Sequence, residues 1–535
     1  MLHCILMQIV AAASGCAPSF ALKPVNHTGQ SGGEPEVIGY DSNGDGEVDF
    51  RTVYDPAGRI AALIYGQGPQ AERIELADIP PEEKRHLVIV LDGVGYGLAK
   101  EFYEAGHLRY CAPPSRVIAP YPTLTDLSLN DALAAGRSSG FEALYYDAQA
   151  NKLAGGSWAY LRGENMPYNA LLDYRADLLT DALSYLFPWH EFKIELAAAQ
   201  RKFAAWNKKE FIAYFVSMAG LGTRNGAEGH RRALAMLDRL VLDALWESRG
   251  RVQVTLFSDH GHSYTVSQRA PIEQHLEDRG WRVRETLEDP RDVVYIRFGL
   301  ETYASFATQS PAELAADLVA VEGVEIASFS EGNHVVVLGP DGQRAHVREV
   351  DGEYAYEQVT GDPLKYGPIL DNYSSSDGLQ RGVAPAAPRS QVVQQVLHHT
   401  QDKDTEQSSP DATDTYPAVW LLEASATHEY PAALQRLWRA HRGDLAANTP
   451  DVIISLGDAW YSGSKGFAGA VEIESTHGGL NYANSATFIM SSLGKFPDVL
   501  RSRDIPAHMA ELLNVPAWPL KRIAGLQEGR PAVDR

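Results

Sequence analysis

The stretch Val252-Gln253-Val254-Thr255-Leu256-Phe257-Ser258-Asp259-His260-Gly261-His262 decides how this chain is read. Its first six residues are mostly apolar and too few for a helix of ordinary length. That pattern suits a strand buried on both faces of a parallel sheet. A carboxylate and two imidazoles follow at once, where the strand ends. Working outward, the same design stands at Leu87-Val88-Ile89-Val90-Leu91-Asp92-Gly93-Val94-Gly95. Further apolar runs occupy 116–119, 211–218, 452–455 and 487–490, with helical patterns at 130–135, 171–186, 191–206 and 229–246. Strands alternating with helices predict an α/β fold, a mostly parallel central sheet with helices on both faces. In such sheets the ligand site lies at the carboxyl ends of the strands.

Two more segments fall where a site belongs. Tyr121-Pro122-Thr123-Leu124-Thr125-Asp126 is a loop leading into a helix, and Ser475-Thr476-His477-Gly478-Gly479-Leu480-Asn481 precedes the run at 487–490. Alone, an Asp-Gly after a strand is a turn signal. Together the four segments put Asp92, Asp259, His260, His477 and the Thr125 hydroxyl at one edge of one sheet. Carboxylate and imidazole side chains suit a divalent ion, zinc first, and a hydroxyl in contact with such an ion becomes a nucleophile.

The order of these segments resembles the alkaline phosphatase superfamily, and most of all its nucleotide pyrophosphatase/phosphodiesterase branch. The likeness spans about 87–283 and 451–516, with the Ser258-Asp259-His260-Gly261 tetrad its most specific part; 500–506 and 512–516 look like the last helix and turn of that superfamily. It implies a three-layer α/β/α core. It also implies one metal held by Asp92, Thr125, Asp259 and His260, a neighbouring site completed by His477, and hydrolysis of a small phosphorylated substrate through Thr125. His477 would hold a second metal or serve the leaving oxygen as a proton donor.

One departure matters. After the run at 211–218 the branch carries Asp-x-x-Gly-His, whereas this chain reads Ala219-Gly220-Leu221-Gly222-Thr223. Neither Ala219 nor Thr223 replaces a carboxylate or an imidazole. Three readings follow: one catalytic metal in place of two, a substitute ligand from Glu228 or His230, or weakened activity. His262 is a further candidate ligand or neighbour of the site, and Asn130 a candidate contact for a phosphate oxygen. Sulfate or phosphonate ester hydrolysis on the same fold, or a surface lipoprotein that keeps the fold for binding, are the competing functions.

Size and composition set the frame. The chain has 535 residues, more than one core usually takes, and a formal net charge of −22. That charge argues against a nucleic-acid surface, which needs a basic face. Three cysteines imply no disulfide framework. Residues 1–16 read as a lipoprotein-like export signal ending at Cys16, whose lipid would tether an exported, periplasmic or envelope protein to a membrane. Residues 17–80 form a small β module. Within it Asp41, Asn43, Asp45, Gly46 and Asp49 follow the first part of a calcium loop, with Thr52 where a bidentate Glu would stand; an acidic turn in a β-hairpin is the plainer reading. The expected division continues with catalytic core at 84–288, a β-containing insertion or cap at 289–447 with a mobile polar loop at 374–417, and core again at 448–535.

Overall fold

The computed structural model describes residues 18, 20–28, 36–177, 183–380, 414–463 and 473–522. The expected signal, Cys16 and most of the 374–417 loop lie outside these residues. Among the described residues no helix is long and apolar enough to cross a membrane.

The central sheet has seven strands. In spatial order they are Tyr174–Arg175, Glu210–Phe215, Arg85–Leu91, Val252–Ser258, Ala486–Ser491, Ser115–Ile118 and Val499–Arg501. All run parallel except Ala486–Ser491, which is antiparallel to both neighbours. The continuous apolar runs have a direct explanation. Leu87, Ile89 and Leu91 enter one apolar cluster, while Val88 and Val90 enter another on the opposite face. Phe211, Ala213 and Phe215 alternate with Ile212 and Tyr214 in the same way. Helices Tyr96–Glu104, Pro188–Ala204 and Ser217–Glu247 cover the first face; Thr125–Ala132 and Ile505–Leu513 cover the second. The N-terminal strands form a five-stranded antiparallel meander whose Tyr40, Phe50, Ile60 and Leu63 share the first cluster.

Next to this core stands a nine-stranded, mostly antiparallel sheet running from Arg282–Val283 to Thr415–Pro417. The run at 452–455, expected in the central sheet, is strand Val452–Leu456 of this second sheet, between Tyr303–Thr308 and Val324–Glu331. A strand buried on both faces looks the same in either sheet, so the run could not say which one it joins. Of the helix expected at 171–186, residues 178–182 lie outside the described residues and the beginning is corrected. Pro167–Leu171 is a short 3-10 turn, and Tyr174–Arg175 pairs with Ala213 and Tyr214 as the edge strand. Helix Ser217–Glu247 begins earlier than expected and breaks at Gly226, where φ is 55°.

Candidate active site

Adjacent strands deliver the ligands. Leu91 pairs with Ser258, so Asp92 and Asp259 leave the sheet side by side. One ligand atom from each of Asp92, Asp259 and His260 lies within 4.8 Å of the others, and all three residues are buried. His260 Nδ1–H donates to the Gly261 carbonyl at 2.9 Å. A carbonyl only accepts, so the proton sits on Nδ1 and Nε2 keeps its lone pair. Nε2 faces Asp92 Oδ1 at 3.6 Å, Asp259 Oδ2 at 3.5 Å and Thr125 Oγ1 at 3.2 Å.

The remaining oxygens of these carboxylates are held from behind. Gly93 N–H and His260 N–H donate to Asp259 Oδ1 at 3.0 and 2.8 Å, while Oδ2 is buried with no hydrogen bond. Tyr214 O–H donates to Asp92 Oδ2. Burial pushes the Asp259 carboxyl up to about 6 against those two amides, and burial with His477 holds His260 well below the ordinary histidine range. Two carboxylates and an imidazole lone pair converging in a dry place repel unless a proton or a cation lies among them. The donor set and the bare Asp259 oxygen therefore fit a divalent metal ion.

Thr125 is the first residue of helix Thr125–Ala132, entered from an extended Leu124. The loop before it is interlocked with the 476–481 loop through Thr123. Thr123 N–H donates to Gly478 O at 3.1 Å, Gly478 N–H to Thr123 Oγ1 at 2.9 Å, and His477 Nδ1–H to Thr123 O at 2.9 Å. The His477 ring stacks on His260 at 3.9 Å. Its fixed Nδ1 proton leaves a lone pair on Nε2, and burial keeps the ring neutral by lowering its pKa. In this tautomer His477 offers Nε2 as an acceptor or a ligand, the second of which is one of the two roles expected of it.

The other candidates take different places. His262 is 1% exposed, with Nδ1 against Ser475 Oγ and Nε2 unpaired. Its ring lies so close that a Cβ on Gly93 would meet Cδ2 at 2.6 Å, and one on Gly222 would meet Nε2 at 3.0 Å. His230 has both nitrogens engaged: Nε2–H donates to Met218 O, and Nδ1 accepts from Tyr264 O–H, each at 2.8 Å. Burial lowers its pKa to about 4. Glu228 is exposed and pairs with Arg231 at 2.9 Å. The structure therefore does not bring Glu228 to the site, and His230 is spent on other bonds. Asn130 is buried, makes no side-chain hydrogen bond and does not line the cavity described next.

A cavity of about 800 Å³ opens at the site, lined by Asp92, Thr125, Thr223 and His477 and by Phe141, Tyr160, Tyr185 and Phe298 among others. Two further wall residues, Glu142 and Glu301, were not visible as site residues in the sequence. Glu142 accepts from Gly299 N–H at 2.9 Å and Tyr303 O–H at 2.7 Å, and Glu301 lies 3.4 Å from His477 Nδ1. Burial pushes each carboxyl up to about 8. Neither stands in a motif; only the pairing of the 301 and 477 backbones brings Glu301 inward. Tyr214 was missed as well, because an aromatic in an apolar strand reads as core.

The Asp41–Asp49 loop joins strands Val37–Asp41 and Phe50–Tyr54 as the turn of a hairpin. Its oxygens face its own amides. Asp41 accepts from Asn43, Gly44 and Gly46 N–H, Asn43 from Asp45 N–H, and Asp49 from Ser42.

The sequence matches no known family and no curated protein. Among solved structures, murine and human ectonucleotide pyrophosphatase/phosphodiesterase 5 are similar to it, each with a TM-score of 0.41 and 10% identity over 82% of this chain and 96% of that chain. An inactive variant of the murine protein in complex with AMP gives the same figures. Likeness at that level carries no weight for the chemistry, which rests on the residues themselves.

Proposed function

We propose that this chain is a metal-dependent hydrolase of phosphate esters in which Thr125 is the nucleophile. The observation that carries the reading is the convergence of Asp92, Asp259, His260 Nε2 and Thr125 Oγ1, with Asp92 and Thr125 lining one large cavity. Asp92, Asp259 and His260 would hold the ion, with Thr125 and His477 beside them. Such an ion, when bound, supplies the positive charge that eases ionisation of the Thr125 hydroxyl and balances the charge of a phosphoryl group.

The chain's own residues do the rest. Thr125 Oγ, its proton lost to solvent, forms a bond to phosphorus as the bond to the leaving oxygen breaks, and the leaving group departs as an oxyanion. The position of Thr125 in the first turn of a helix favours an anion there. Water then attacks the phosphothreonine as the bond from phosphorus to Thr125 Oγ breaks; His477 Nε2, bearing a lone pair, accepts the proton that water loses, and Thr125 Oγ regains a proton from solvent. Asp259, His260 and Tyr214 fix the geometry through the bonds given above. The apolar cavity walls suit an organic group on the ester.

Purified protein should hydrolyse an aryl phosphodiester in a chelator-sensitive way. Thr125→Ala should reduce turnover by at least about a thousand-fold, the scale of losing an activated nucleophile, while the metal stays bound. An aryl sulfate serves as the parallel substrate, since the same ligand set suits sulfate esters. Equal activity of Thr125→Ala and the parent would sink the assignment.

A further inference from the structure

The layer built on the second sheet reaches into the catalytic loops through one helix, Ala433–His441. Arg436 on that helix is only 4% exposed, and among the described residues no carboxylate pairs with it. A guanidinium taken out of water needs compensation. Here it comes from backbone carbonyls of three segments. Nη1 donates to Pro431 O at 3.1 Å and Leu480 O at 2.9 Å, and Nη2 donates to Pro120 O at 3.3 Å. Its charged carbon stands 5.9 Å from the centre of the Tyr121 ring.

The places of those carbonyls are the point. Pro120 opens the loop that ends at Thr125, and Leu480 lies three residues after His477. These two loops are the ones that interlock through Thr123 and Gly478. Three residues along the same helix, Arg439 grips the other end of the Thr125 element: its two terminal nitrogens donate to the two oxygens of Asp131 at 2.7 and 2.9 Å. Leu434 and Leu437 share an apolar cluster with Tyr121, Leu124, Leu127 and Leu480. The helix thus holds the nucleophile segment before and after Thr125, and the His477 loop with it. By contrast, Asp92, Asp259 and His260 follow the strand ends of the central sheet, where Leu91 pairs with Ser258.

We propose that Arg436 is a positioning residue for the Thr125 nucleophile and His477, so that the layer on the second sheet sets the reactive geometry while the central sheet alone holds the metal. Five forked donors on a rigid plane can bind two or three carbonyls at fixed angles; an ammonium on a flexible stem cannot. Loss of the clamp should therefore misplace Thr125 relative to the phosphorus without emptying the metal site. The inference rests on the hydrolase reading only for its kinetic half.

The experiment compares the parent with Arg436→Lys and Arg436→Met in the full chain. Three quantities are read: bound metal per chain, kcat and KM on an aryl phosphodiester, and hydrogen exchange of the amides in 120–124 and 476–481. Expected are an unchanged metal count, a KM within about threefold, and kcat lower by about 100-fold in Arg436→Met and partly restored in Arg436→Lys, the scale of a 1 Å misplacement. Exchange at Thr123 and Gly478 should quicken together. Should Arg436→Met not accumulate as folded protein, Arg436→Lys carries the same readouts. A kcat within twofold of the parent, loss of metal in step with kcat, or unaltered exchange in both loops would overturn the proposal. Absence of turnover in the parent would strike the hydrolase reading instead, and the exchange measurement would still decide the clamp.

Discussion

At the scale of single residues, the site combines groups that burial has pushed toward neutrality. Glu142 and Glu301 are the clearest case, with carboxyls raised to about 8. The folded chain keeps protons that an unfolded carboxyl gives up near its ordinary pKa. Their stabilising effect is therefore complete below that value and is lost as pH rises through about 8. His230 and His441, pushed down to about 4 and 3 by burial, act in the opposite sense. Their effect is lost only as pH falls below the ordinary histidine range. Between about pH 6.5 and 8 the carboxyls dominate, and chelator-treated protein should lose stability there. Glu301→Gln should flatten the slope by up to about 1.4 kcal/mol per pH unit, the limit for one proton. Urea midpoints measured across that window check it, and a slope identical to the parent's would show that Glu301 is ionised in the fold.

Among the elements, the Asp41–Asp49 hairpin turn poses a specific question. Its carboxylates are occupied by its own amides, which hold the Asp41 carboxyl below the usual range, with Gly46 N–H the largest cause. A turn closed in this way stands without an ion, yet the same inward oxygens can be shared with one. Calcium binding there remains a proposal with a simple reading. If calcium binds, millimolar calcium should raise the melting temperature of chelated protein, and Asp45→Ala should remove that rise while leaving hydrolysis intact. A rise of equal size in Asp45→Ala would place calcium elsewhere. The turn lies on the meander that shares its apolar cluster with the central sheet, so any stabilisation there reaches the whole first face.

For the molecule as a whole, the metal count is the decisive quantity. Asp92, Asp259 and His260 form the one group of three such ligands found among the described residues. At the neighbouring position Ala219 and Thr223 offer no ligand, Glu228 points to solvent, and the His262 ring fills the space between Gly93 and Gly222. We expect one transition metal per chain, counted by elemental analysis after calcium is subtracted. Adding that metal at about a hundred times its dissociation constant should stabilise the fold by about 2.7 kcal/mol, since only the folded chain assembles the site. Two tightly held transition metals per chain would contradict the expectation and direct attention to His262 and Glu301.

The sequence by itself determined the local chemistry of the site: Asp92, Asp259 and His260 follow apolar strands whose alternate residues must be buried on two faces, and such strands present their carboxyl ends to a ligand. Thr125 was an expectation of the motif resemblance, and the fold brings its hydroxyl 3.2 Å from His260 Nε2. What only the tertiary structure decided depends on partners far apart in the chain. Residues 452–456 join the second sheet because a doubly buried run carries no mark of which neighbours it will pair with. The Nδ1 proton of His477 is directed by the Thr123 carbonyl, 354 positions away, which leaves Nε2 as the acceptor. Glu142, Glu301, Tyr214 and Arg436 sit in no motif, and each gained its place from a long-range backbone or side-chain bond. Pattern and spacing report what a strand or turn needs locally; the ionisation and orientation of a buried group depend on which distant donors surround it.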